Sequence, residues 1–340
     1  MIKPTIVVTG GTGYIGSHTA VELLNEGYDV VLIDNLSNSE KWIAERIEQI
    51  TAKKVSLHVV DLCDRAKLRE LFSSTPNIKA IINFAAYKAV GESVQKPLEY
   101  YRNNVVSMLN ILEVMTEFAI PNIVFSSSCT VYGQPEVLPV TEQSPILKAL
   151  SPYGNTKQIC EAIITDTIAV NPSIKSILLR YFNPIGAHPS ALIGELPQGV
   201  PNNLVPFITQ TAKGIRKELM VFGNDYNTVD GSCIRDYIDV VDLAKAHVIA
   251  VNRLLEQKTE SAIEVFNLGT GKGVSVLEII DAFEKAIGIK IPYKIVNRRA
   301  GDIEKVWADT TKANAVLGWK ATVPLIETLR SAWNWEKTLD

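Results

Sequence analysis

The sequence has 340 residues, with 34 Lys and Arg against 37 Asp and Glu, for a formal net charge of −3. With 46% apolar and 21% charged residues, it is neither a disordered chain, nor a collagen-like repeat, nor a disulfide-stapled miniprotein. The length suits two domains, and the acidic balance argues against a nucleic-acid binder.

No apolar run approaches the ~18 residues that a membrane span needs. The short run from Thr5 to Thr9 ends in glycines, so it reads as a buried first strand rather than a secretory signal. Cys63, Cys129, Cys160 and Cys233 stand far apart without a C-x-x-C pair, and His18, His58, His188 and His247 are scattered, so no metal is expected. The expectation is a soluble cytoplasmic protein with no membrane and no nucleic-acid partner.

In chain order, Ile6-Val7-Val8 leads into a helical segment from Tyr14 to Asn25, and Val30 to Ile33 into Lys41 to Ile50. Val55 to Val60 precedes Arg65 to Phe72, and Ala80 to Phe84 precedes one long segment from Glu92 to Phe118. Asn122 to Phe125, a loop, Gly154 to Ala169 and Ser176 to Leu179 follow. Short apolar strands alternating with helices predict an α/β fold: a Rossmann-type doubly wound parallel sheet. Residues 183–206 hold five prolines and read as loop. Beyond them, helical stretches (Asp242 to Leu255, Val276 to Ala286) mix with strand-like pieces such as Val265-Phe266-Asn267, predicting a smaller mixed α/β C-terminal substrate domain. The boundary falls between residues 1–182 and 183–340, with segments returning to the first domain.

The first strand runs into Thr9-Gly10-Gly11-Thr12-Gly13-Tyr14-Ile15-Gly16, which satisfies both G-x-G-x-x-G and G-x-x-G-x-x-G. Such glycines let the backbone approach a pyrophosphate seated on the next helix's N-terminus. Asp34 ends the second strand 18 residues past Gly16, where a carboxylate accepts from ribose hydroxyls and repels a 2′-phosphate, favouring NAD over NADP. Asp61, ending the third strand, suits an adenine amino group or a simple helix start. Downstream, Ser126-Ser127-Ser128 ends the fifth strand, and Tyr153 and Lys157 stand four apart at the start of a helix, sharing one face. An ammonium near a phenol favours phenolate, making Tyr153 a base, with Lys157 as its electrostatic partner and Ser128 sharing the substrate proton.

On these residues the chain resembles the extended short-chain dehydrogenase/reductase superfamily, and within it the UDP-glucose 4-epimerase family. The resemblance rests on Gly10 to His18, Asp34-Asn35-Leu36, Lys88 to Val94, Lys96 to Tyr101, Ser126 to Gly133, Tyr181 to Pro184, Gly186 to Pro189 and Pro201 to Leu204. It continues through Phe222 to Tyr226, Arg235 to Ile238, and Arg298-Arg299 with Gly301-Asp302. It implies that Tyr153 takes the proton of the sugar 4-hydroxyl while hydride leaves C4 for NAD, the 4-keto sugar turns about its link to UDP, and hydride returns to the other face. By position, Tyr14, Ile15, Asp34, Asn35, Leu36, Ser37, Asn38, Ser39, Asp61 and Leu62 would line the adenosine half of NAD. Phe84, Ala85, Ala86, Lys88, Asn103, Lys157 and Phe182 would hold the remainder, with Lys88 also near the substrate. Asn183, Asn203, Leu204, Phe222, Arg235, Arg299 and Asp302 would hold the UDP-sugar. The two arginines fit that role, since guanidinium forks bind diphosphate oxygens.

Departures from the family pattern are Cys129, Asn155-Thr156, Cys233 and Asp239, expected to matter for packing only. At Val306 a smaller residue than the family's frequent Tyr implies room for an N-acetylated sugar. A 4,6-dehydratase needs an added acid–base pair, which the superfamily places after the strand-five hydroxyl; Ser128-Cys129-Thr130 supplies no carboxylate. A nonenzymatic NAD-binding protein would have no use for Tyr153 and Lys157. The segment from Glu92 carries Val94, Leu98, Tyr101, Val105, Met108, Leu112 and Met115 at helical spacing. The resemblance implies that this helix and the Tyr153 helix form a homodimer.

Overall fold

The β-branched and apolar runs of the first half form strands buried on both faces, as a parallel sheet requires, except the partly exposed edge strand Ser56–Val59. In the computed structural model, which describes residues 3–299 and 302–339, the first elements are β1 (Thr5–Thr9), α1 (Tyr14–Glu26), β2 (Asp29–Asp34), α2 (Trp42–Thr51), β3 (Ser56–Val59), α3 (Arg65–Ser74) and β4 (Ile78–Asn83). Then come α4 (Val90–Gln95), α5 (Pro97–Glu117), β5 (Asn122–Ser128), α6 (Pro152–Val170) and β6 (Lys175–Tyr181). The second half contributes β7 (Asn183–Ile185), α7 (Leu204–Ala212), β8 (Leu219–Phe222), β9 (Ile234–Arg235), β10 (Tyr237–Asp239), α8 (Val240–Leu255) and β11 (Ile263–Leu268). It ends with β12 (Val274–Ser275), α9 (Val276–Ile287), β13 (Tyr293–Val296) and α10 (Leu325–Thr338).

A seven-stranded sheet has the order β11-β6-β5-β4-β1-β2-β3. The order reverses between β1 and β4, which pair in parallel, so the glycine turn leaves the sheet at the switch point where open α/β sheets bind ligands. This is the doubly wound α/β fold read from the sequence. Two compact units divide the chain: Met1–Gly133, Ile146–Arg180 and Ala244–Phe266 in one; Gln134–Pro145, Tyr181–Leu243 and Asn267–Asp340 in the other. The first has a core of sheet residues such as Val7, Ile81 and Phe125 packed against Leu68 and Phe72 of α3, Met108, Ile111 and Met115 of α5, and Ile164 of α6. The second is mixed α/β. Its paired strands β7–β10 and β8–β13 run parallel and β9–β12 antiparallel. Its core joins Val205, Ile208, Val221, Tyr237, Ile279, Phe283 and Leu329.

Two sequence expectations are corrected. The segment from Glu92 to Phe118 is two helices broken at Lys96-Pro97, because proline lacks the N–H and disfavours a helical conformation before it. Its apolar stripe is also two faces: Met108, Leu112 and Met115 are core, whereas Val94 and Leu98 are exposed. The reading that the three serines end the fifth strand holds, since β5 runs through Ser128. Within the stretch read as loop, α7 begins at Leu204 and accommodates Pro206 in its first turn, where no N–H is needed.

Candidate active site

Gly10 adopts φ +67°, and a Cβ on it would lie 2.9 Å from the Ala85 backbone nitrogen. At Gly16 a Cβ would meet the Gly10 carbonyl oxygen at 2.1 Å. The turn therefore closes only without side chains at these positions. α1 follows Gly13 with no side-chain cap and no acidic residue in its first turn, so its positive dipole end suits an anion. Asp34 is fixed beside this turn: its carboxylate accepts from the Thr12 backbone N–H (3.2 Å), the Leu36 N–H (2.9 Å) and the Ser39 hydroxyl (3.1 Å). The adenosine-side loop is internally braced, with Asn35 donating to Asp61 (3.3 Å) and accepting from the Ser37 N–H (3.0 Å).

The remaining cofactor candidates of this unit divide by burial. Tyr14, Ile15, Phe84, Ala85, Ala86 and Asn103 are half-buried and Lys88 is exposed, its ammonium 5.6 Å from the Tyr14 ring centre. Leu62 is instead a core side chain, and its carbonyl accepts from Asn110 (2.7 Å). Asp61 does not cap α3; Asp64 does, accepting from the Lys67 N–H. These residues fit the dinucleotide expected from the sequence: an uncapped helix start, a turn that a Cβ would fill, and a braced carboxylate.

At the C-terminal end of β5, Ser128 is 7% exposed and its hydroxyl accepts from the Thr130 N–H (3.2 Å). α6 starts close by in sequence because Ser151 caps Gly154 (3.1 Å) and Pro152 fits its first turn. One turn apart on it stand Tyr153 and Lys157, both buried. The Lys157 ammonium donates to the Ser126 carbonyl at 2.6 Å and lies 6.0 Å from the Tyr153 ring centre. Burial lowers its pKa to about 8, against a raising influence of Cys160 and Glu161. A buried ammonium and a phenol one turn apart, with a hydroxyl at the end of the strand that receives the ammonium, are groups of the kind that proton transfer uses.

Sequence reasoning missed the residues that brace this set. Asn104 accepts from the Tyr87 N–H (2.8 Å) and from Asn103 (3.0 Å), and donates to the Tyr87 carbonyl and the Thr156 hydroxyl, each at 3.0 Å. Thr156 in turn donates to the Tyr153 carbonyl (2.7 Å), and Asn155 donates to the Tyr101 hydroxyl (2.7 Å). Asn155-Thr156, expected to affect packing only, thus tie α6 to α5. The available signal was a polar Asn104 on the face of α5 that also carries Met108 and Ile111.

In the second unit, Phe182 is buried and donates its backbone N–H to the Leu268 carbonyl (3.2 Å), and Asn183 likewise to Asp236 (2.9 Å). Four candidates converge. Arg299 lies 5.4 Å from the Phe222 ring centre and donates to Asp302 (2.7 Å), and Arg235 stands 4.0 Å from the same carboxylate. Two guanidiniums on one carboxylate leave a positive excess suited to a diphosphate. Asn203 donates elsewhere, to Glu195 (2.6 Å), and Leu204 packs on the unit's core. Arg235 is itself held by its neighbour: the buried Asp236 accepts from the Thr270 N–H and hydroxyl, Gly271 N–H and Ala308 N–H. Gly301 lies outside the described residues, among which no group of acids, cysteines and histidines suits a metal ion.

The family model of GDP-mannose 4,6 dehydratase matches residues 7–332. The chain is 50% identical over 335 residues to the UDP-glucose 4-epimerase of Dictyostelium discoideum, covering 98% of this chain and 96% of that protein. It is similar to the crystal structure of UDP-glucose 4-epimerase from Bifidobacterium longum in complex with NAD+ and UDP, with a TM-score of 0.94, 48% identity and 98% of each chain covered. It is also similar to the UDP-Glc/GlcNAc 4-epimerase of Campylobacter jejuni, with a TM-score of 0.84, 35% identity, and 99% of this chain and 100% of that chain covered.

A methyl group at Gly16 would overlap the Gly10 carbonyl. Gly16→Ala should therefore weaken NAD binding by roughly a hundredfold or more, the scale of steric misplacement at a tight site. Calorimetric titration of cofactor-stripped protein measures it.

Proposed function

The chain belongs to the extended short-chain dehydrogenase/reductase superfamily, among the nucleotide-sugar enzymes related to the UDP-glucose 4-epimerases, and on that premise we propose that it interconverts UDP-glucose and UDP-galactose with NAD as resident cofactor. The observation that carries this reading is the buried Lys157 ammonium on the Ser126 carbonyl, one helical turn from Tyr153 and beside Ser128. NAD supplies a hydride acceptor at the sugar C4 and returns the hydride to the opposite face. Tyr153 takes the proton from the 4-hydroxyl oxygen and later gives it back, and the Ser128 hydroxyl orients that oxygen. Lys157 stabilises the phenolate. Arg235 and Arg299 hold the diphosphate, and Phe222 lies along the base, so the hexose can turn while the nucleotide stays bound. Lys88 stands by for a phosphate or ribose. Dehydration is disfavoured because the turn after Ser128, Cys129–Tyr132, offers a thiol and hydroxyls but no carboxylate.

A second reading, turnover of N-acetylated UDP-hexoses, rests on Val306. This buried, compact side chain follows a backbone N–H that donates to the Ile234 carbonyl beside Arg235 (3.1 Å). We place the protein in the cytoplasm: no described helix is long and apolar enough to cross a membrane, and no disulfide joins the four cysteines. A homodimer is supported by α5, which carries Leu98, Tyr101, Val105 and Leu109 on its outer face, with Leu98 and Leu109 exposed.

Incubated without added NAD, the protein should convert UDP-galactose to UDP-glucose and, by the second reading, UDP-N-acetylgalactosamine to UDP-N-acetylglucosamine; chromatography of the products reads both. Tyr153→Phe should lower kcat by roughly 10²–10⁴-fold with NAD still bound. Because Lys157 is protonated below about pH 8 and neutral above it, kcat of the parent should decline above that pH. Light scattering should give twice the chain mass, falling to one chain mass for Leu98→Glu/Leu109→Glu.

A further inference from the structure

Behind the proton-transfer set lies a buried charged network to which the proposed reaction assigns no role. Glu161, one turn beyond Lys157 on α6, and Arg180 on β6 are both buried. They form a two-pronged pair, with Nε to Oε1 at 2.9 Å and Nη2 to Oε2 at 2.6 Å. The same Oε1 accepts from the Ser127 hydroxyl at 2.5 Å. Arg180 also donates to the Tyr132 hydroxyl at 3.1 Å, its guanidinium 5.0 Å from that ring's centre. One carboxylate thus joins β5, α6, β6 and the turn Cys129–Tyr132.

A buried ion pair is a poor source of stability, since removing two charges from water offsets most of their attraction. Its geometric consequence is specific. Ser127 sits between Ser126, whose carbonyl receives Lys157, and Ser128, whose hydroxyl the proposed reaction uses. Side chains alternate along a strand, so holding the Ser127 hydroxyl on Glu161 directs those of Ser126 and Ser128 to the other face. We propose that Glu161, clamped by Arg180 and Tyr132, is a positioning residue for proton transfer: through Ser127 it fixes the end of β5 against α6, keeping the Ser126 carbonyl and Ser128 hydroxyl in register with Lys157 and Tyr153. This inference rests on the 4-epimerase reading and adds to it a residue that touches neither sugar nor cofactor.

The pair also sets the charge around Lys157. The titratable and charged groups near it are Tyr153, Cys160 and Glu161 on its own helix, Arg180 on β6 and Tyr132 on the turn; from α5, Tyr101 and the neutral Asn104 meet α6. Glu161 raises the Lys157 pKa against burial, so removing its charge lowers that pKa further and the ammonium is lost at lower pH.

Two variants of the holoenzyme separate register from charge. Ser127→Ala deletes the bond and keeps the ion pair; Glu161→Gln keeps the shape and deletes the charge. Folding is checked by circular dichroism, and bound NAD by absorbance after release. The inference expects Ser127→Ala to lose about tenfold in kcat for UDP-galactose with KM within twofold, since sub-ångström misplacement acts on the reacting geometry rather than on binding. It expects the Lys157 signal of 13C-lysine-labelled Glu161→Gln, assigned with Lys157→Met, to titrate below the parent's. A parental kcat in loaded Ser127→Ala, or a parental Lys157 titration in Glu161→Gln, overturns it; if Glu161→Gln does not fold, Ser127→Ala decides alone. A parent chain that binds NAD but fails to epimerise would overturn the functional reading instead, and the lysine titration, which needs no turnover, still decides the positioning of charge.

Discussion

The chemistry of the first unit depends on keeping one ammonium charged in a buried place. Burying a cation costs several kcal/mol unless strong partners replace water. Lys157 has a carbonyl at 2.6 Å and the Phe125 ring centre at 4.8 Å. Ser126 lies past the last β4 pairing of β5, at Phe125. The sheet delivers this oxygen at its C-terminal edge, and α6, capped by Ser151, delivers the lysine to it. The partial desolvation that remains lowers the lysine's pKa to about 8, so its charge responds to conditions near neutrality.

Net charge says little about such a molecule, because anions are met by local devices. A chain with an acidic excess of three presents an uncapped helix start, a paired guanidinium cluster around Asp302, and a lysine above Tyr14. Each acts within a few ångströms, inside the ~8 Å over which salt leaves a field effective. The overall sign sets solubility and non-specific partners, and placement sets which ligand is held.

The parallel sheet, the glycine turn that opens its first helix, and the placing of Tyr153 and Lys157 one turn apart on a helix were legible because each rests on a local signal: a run of β-branched residues, a glycine spacing, a four-residue helical interval. That the Leu62 side chain lies in the core was not legible, because position near a strand end does not say which way a side chain points. The break at Pro97 was written in the sequence, but the apolar period continued across it and outweighed the proline. Glu161 and Arg180 were illegible for another reason. Each is a lone charge inside an apolar run, and only the fold shows that they stand together 19 residues apart in sequence. Asp236 is the same case in the second unit, its four donors coming from segments more than thirty residues away.

The helix starts show how function is written into local choices of stability. Most described helices begin with a side-chain cap, as at Asp64, Ser151 and Ser275, or with an acid in the first turn, as at Glu45, Glu92, Glu99, Asp242 and Glu327. Among the described α-helices, α1 and α7 alone begin with neither. A side-chain cap is worth about 1 kcal/mol, which α1 forgoes at Gly13 and α7 forgoes with the Asn203 side chain turned to Glu195. A local rule broken without compensation within the fold is expected where a ligand supplies what is missing. These two helices are the ones whose first residues, Tyr14-Ile15 and Leu204 after Asn203, the sequence pattern assigned to the dinucleotide and the nucleotide sugar. A diphosphate is the class of group that meets such helix ends with charge-assisted hydrogen bonds.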